Sequence, residues 1–64
     1  METLEQITDR VRVETARFLL ETATVPIETI ALLGGFESAD EMRRAFVRIL
    51  GVGPAGYRAR FQLN

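Results

Sequence analysis

The chain has 64 residues, 47% of them hydrophobic, with nine acidic residues, eight basic ones and neither cysteine nor histidine. That length makes one small domain, near the size at which burial barely offsets chain entropy, and the missing Cys and His exclude disulfide staples and the usual zinc sites. The net charge of −1 hides a split: residues 1–41 set three arginines against all nine acids, a net of −6, whereas residues 42–64 hold five arginines and no acid, a net of +5.

From Glu2 to about Thr22 nothing breaks a helix, and Glu2 and Glu5 lie where the helix dipole favours acids. At the helical period two apolar stripes emerge: Val13, Ala16, Leu19, Leu20 and Ala23 on one face, Leu4, Ile7, Val11 and Phe18 nearly opposite. A helix apolar on both sides needs two surfaces to pack against. One is the segment that follows; the other is not expected from a chain this short. Thr24-Val25-Pro26 breaks the helix, since proline pushes Val25 out of the helical region and can itself lead a new helix.

Ile27, Ile30 and Ala31 recur at one-face spacing, and Gly34-Gly35 supplies a residue able to turn left-handed and stop that helix. Ser38-Ala39-Asp40-Glu41 fits a capping box opening the next one, whose apolar stripe is Met42, Phe46, Ile49 and Leu50. Gly51 ends it. Gly53-Pro54 starts a last short helix carrying Ala55, Tyr57, Arg58 and Phe61, with Tyr57 and Phe61 expected to dock on the core. No segment alternates as a strand would. The expectation is all-α, a long N-terminal helix plus three shorter ones over a single domain, residues 1–64, with a homeodomain-like helix-turn-helix at about 26–50. No apolar run reaches membrane-spanning length, and the start lacks the basic-then-apolar pattern of a signal peptide, so a cytoplasmic chain with no membrane partner is expected.

The face opposite Met42 and Phe46 comprises Glu37, Asp40, Arg44, Val47 and Arg48, with Arg43 on its flank. In a major groove, Arg43 and Arg44 match the guanine O6 and N7 acceptors, and Asp40 matches a cytosine amino group. Arg48, Arg58 and Arg60 suit phosphate, which positions without reading sequence. Each has a plainer role: Asp40 precedes Arg44 in the favoured order for a surface ion pair, Glu41 is the cap partner of Ser38, and Arg58 can pair with an internal acid. Three acids at the tip, Glu37, Asp40 and Glu41, would repel phosphate, and the groove reading requires Arg43 and Arg44 to stand clear of such acids. Without His or Cys, nucleophile–base pairs are scarce, and no phosphate-cradling glycine loop is present, so neither catalysis nor a cofactor is expected.

Ile30-Ala31, Gly35-Phe36, Ser38, Arg44, Phe46, Gly51, Pro54 and Tyr57-Arg58 together resemble the C-terminal signature of AraC/XylS-type transcription regulators. Upstream, RVRVETARFLLE resembles the linker helix of that family, with Arg12, Ala16, Leu19 and Leu20 on its beat, and the resemblance spans residues 10–61. The form most resembled is the one fused to amidase-like sensor domains. The resemblance implies two helix-turn-helix units bridged by a long helix, each reading one groove segment of double-stranded DNA. It makes Ser38–Leu50 the recognition helix, puts Ala39, Asp40, Arg43 and Arg44 at base-facing positions, and puts Val47, Arg48 and the Pro54–Arg58 segment near the DNA backbone. The chain departs from the pattern in lacking a first unit and a sensor, in Val47 where the family is often basic, in Gly53 where it has Ser or Thr, and in the packing substitution at Met42. The stripe Leu4, Ile7, Val11 and Phe18 is then the face toward the other lobe, or a homodimer contact. A rival expectation is a protein-interaction half-domain without DNA binding of its own; a plainer one is a structural fragment.

Overall fold

The computed structural model describes residues 1–61, which form four α-helices: α1 (Leu4–Thr22), α2 (Ile27–Leu33), α3 (Ala39–Leu50) and α4 (Pro54–Phe61). Helix α1 begins two residues later than the sequence pattern suggests. Thr3 caps it through a closed box: its Oγ1 accepts from the Gln6 amide at 3.1 Å, and the Gln6 side chain accepts from the Thr3 amide at 2.9 Å. Glu2 therefore lies outside the helix and pairs with Arg10 at 2.7 Å.

Pro26 sits one position outside α2, as its cap, rather than in its first turn; its carbonyl accepts from the Thr29 and Ile30 amides. Helix α2 closes in a Schellman turn. The Phe36 amide donates to Ala31 O at 2.9 Å and the Gly35 amide to Leu32 O at 3.1 Å, while Gly35 takes φ 91°. Gly34, just before it, is buried where α2 meets α1: a Cβ there would stand 3.2 Å from Ile30 O and 3.5 Å from the Ala16 Cβ. Gly51, at φ 77°, ends α3 with its amide on Val47 O.

The core is wholly apolar in character: Val13, Ala16 and Leu20 of α1; Ile30 and Ala31 of α2; Phe36; Met42, Ala45 and Phe46 of α3; and Tyr57 of α4. Every helix contributes, so α1 acts as a wall along which the other three are laid. Tyr57 packs edge-on against Phe46 at 6.0 Å between centroids, and its hydroxyl donates to the Glu21 carboxylate. Phe61 does not enter the core as its spacing suggested. It lies over Tyr57 at 4.6 Å and stays exposed, because the Tyr57 ring already fills the space between α1 and α3. Leu4, Ile7, Val11 and Phe18, on the outer face of α1, are 44% to 83% exposed.

Candidate nucleic-acid interface

Helix α3 is divided lengthwise. Met42, Ala45 and Phe46 are buried against α1 and α2, so the fold fixes which way the other face points: Asp40, Arg43, Arg44, Val47 and Arg48 all stand in solvent. The helix start is secured by Ser38, whose Oγ accepts from the Glu41 amide at 3.1 Å. Only half of the expected capping box forms. The Glu41 carboxylate accepts from the Glu37 amide at 2.8 Å instead of returning to Ser38. Ala39, half-buried beside it, leaves the first turn without bulk.

The arginines are not unpartnered. Asp40 Oδ1 accepts from Arg43 Nη2 at 2.9 Å, and its Oδ2 lies 3.1 Å from Arg44 Nη2. The hydrogen bond from Arg43 and the adjacent Arg44 charge hold the Asp40 carboxyl below its ordinary value, so it stays ionised, and both pairs persist, until the pH falls through that lowered range. These contacts lie in open water: side-chain exposure is 60% for Asp40, 56% for Arg43 and 67% for Arg44. The expectation that Arg43 and Arg44 stand clear of acids is therefore not met. Pairs so placed are nevertheless weak and open by side-chain rotation, so both arginines stay reachable, and reachability rather than freedom from acids is what the groove reading needs.

Arg48, at the far end of the face, donates to Asp9 of α1 at 2.5 Å, and Arg12 approaches the same carboxylate at 3.8 Å. Sequence reading missed Asp9. The signal was present, since Asp9 falls on the inward face of α1 among Val13, Ala16 and Leu20, where a charge needs a partner. The cleft of about 440 Å³ between α1 and α3 is lined by Glu5, Asp9, Arg12, Glu41, Arg44 and Arg48, with the signs interleaved.

Arg58 is turned inward. Its partners inside the domain are backbone carbonyls rather than the acid that sequence reading offered as one alternative: it donates to Val25 O at 2.6 Å and Ala23 O at 3.4 Å beyond the end of α1. Helix α1 has no basic residue in its own last turn, and Arg58 brings a cation to that negative end.

Two helices joined by a glycine turn, the second presenting arginines outward and an apolar seam inward, are the build of a DNA-binding helix-turn-helix unit. A family model described as "Helix-turn-helix domain" matches residues 2–60, and the chain belongs to this family in its AraC-type form. It is 42% identical over 53 residues to the HTH-type transcriptional regulator Rv1931c of Mycobacterium tuberculosis, covering 83% of this chain and 20% of that protein. It is 41% identical over 56 residues to the Ornithine utilization regulator of Pseudomonas aeruginosa, covering 88% of this chain and 16% of that protein. The chain thus spans a fifth or less of the length of these relatives. No solved structure gives a significant match.

Proposed function

We propose that this chain is the DNA-reading part of a transcription regulator, binding duplex DNA sequence-specifically with α3 in the major groove. The observation that carries it is the division of α3: an apolar side locked into the core and an opposite side that holds Arg43, Arg44 and Arg48 in solvent. Ala39, Asp40, Arg43 and Arg44, in the first half of the helix, face base edges. Ser38, Val47 and Arg48 lie along the flanking strands, and the Val47 methyls suit a thymine methyl better than phosphate. Arg58 supports the interface from behind, by fixing the end of α1. A DNA-reading role sets its place of action in the cytoplasm, and residues 1–64 make up part of one AraC-type DNA-binding domain.

Titration of labelled duplex by fluorescence anisotropy tests this. Binding is expected to be weak and to fall steeply with salt, and the Arg43→Ala/Arg44→Ala double variant is expected to lose roughly tenfold or more in affinity with its helical circular dichroism unchanged. Binding indifferent to salt, or to both substitutions, removes the reading and favours a protein-interaction module.

The outer stripe of α1 supports a second element of the proposal. Exposed large apolar side chains in a row mark a contact face, and in the 64-residue chain that contact is a second copy, α1 against α1 about a two-fold axis. In a longer chain the resemblance supports a first helix-turn-helix lobe on this face and an amidase-like sensor domain before it. The reading frame surrounding this segment decides between the two arrangements.

A further inference from the structure

The two side chains on which base reading depends are both held by one carboxylate. Asp40 reaches Arg43 through Oδ1 at 2.9 Å and Arg44 through Oδ2 at 3.1 Å, and all three lie on the face of α3 proposed to enter the groove. Of the other acids near that face, Glu41 accepts from the Glu37 amide, Asp9 holds Arg48 with Arg12 beside it, and Glu37 itself is exposed ahead of the helix start. Asp40 is thus the carboxylate that the two reading arginines share.

We propose that Asp40 is a specificity-determining residue, keeping Arg43 and Arg44 occupied in the free chain and on mismatched duplex and releasing one of them where a G·C pair replaces the contacts of both that arginine and the carboxylate. The proposal rests on the DNA-binding reading above. A phosphate offers an arginine only what Asp40 already supplies, anionic oxygens, and brings a negative charge toward the carboxylate as it does so. Breaking the clamp on phosphate alone leaves Asp40 unpartnered and repelled. A G·C pair compensates both sides at once, with guanine N7 and O6 accepting from a guanidinium and the cytosine N4 amino group donating to the carboxylate. The exchange is local, since pairs one turn apart on an exposed helix face are weak and rearrange by side-chain rotation alone. The same substitution that would free the arginines, Asp40→Asn, keeps the side-chain shape and removes the negative charge.

The test uses the full chain, wild type and D40N, against two probes: a duplex recovered by the wild type from a randomised library, and a scrambled duplex of the same composition. D40N is expected to bind the scrambled duplex roughly 3- to 10-fold more tightly and to steepen its logarithmic salt dependence by about one unit, as for one added phosphate contact. The preference for the recovered duplex is expected to fall roughly tenfold, and repeating the selection with D40N is expected to relax one G·C position. Equal change on both probes, or no change on either, overturns the proposal while leaving DNA binding intact. Failure of the wild type to bind any duplex overturns the DNA reading itself, and this inference with it. Circular dichroism melting of D40N verifies that the exposed substitution leaves the fold in place.

Discussion

Tyr57 is the chain's only phenol, and it stands where α1, α3 and α4 meet, edge-on to Phe46 with its hydroxyl on Glu21. Burial, and then the hydrogen bond to the Glu21 carboxylate, push its pKa above the ordinary 10.0. The sign follows directly. The neutral phenol is favoured in the fold, so its contribution is complete below about pH 10 and is lost as the pH rises toward the elevated folded value. Absorbance of the phenolate should rise with a midpoint above 10 and track the loss of helical signal; a midpoint at 10 or lower would place the ring in water. At this scale the sequence yielded Ser38 and Gly51 readily, because a cap and a helix stop are local chemistry. It did not yield the Arg58 contacts with Val25 and Ala23 or the Asp9–Arg48 pair. Their partners are separated by 33 to 39 positions, and only packing brings them together.

Elements form here because local signals agree with the core pattern. Gly35 at φ 91° is where the turn between α2 and α3 is made, and a side chain there is strained whatever space surrounds it. Gly35→Ala is expected to destabilise the domain by about 1–2 kcal/mol, read as a lowered thermal midpoint by circular dichroism, and an unchanged midpoint would show the turn to be slack. The four helices, their order and the inward faces of α1 and α3 were legible from periodicity, glycine and proline alone. Boundaries were less so. The Thr3–Gln6 box moved the start of α1 past Glu2, and the partial box at Ser38 sent Glu41 to Glu37, choices decided by side-chain geometry that a shared S/T-x-x-E/Q pattern does not distinguish.

At the scale of the whole molecule, the acidic and basic halves of the sequence are folded onto one another, with arginines of α3 and α4 reaching Asp9, Val25 and Ala23 of the earlier half. Among the described residues, the outer side of α1 carries a row of exposed apolar side chains, Leu4, Ile7, Val11 and Phe18. If two copies meet there, Val11→Glu, placed at the middle of the stripe and already in solvent, should convert a dimer to a monomer in light scattering with the helical content retained. A wild-type chain that stays monomeric at high concentration would discard the second copy as occupant. The seal on the far end of α1 has a consequence for how this domain comes into being. Because the carbonyls just past that helix accept from a guanidinium 33 to 35 positions further along, a nascent chain leaving the ribosome can coil its first segment early but cannot lock it until Arg58 has emerged.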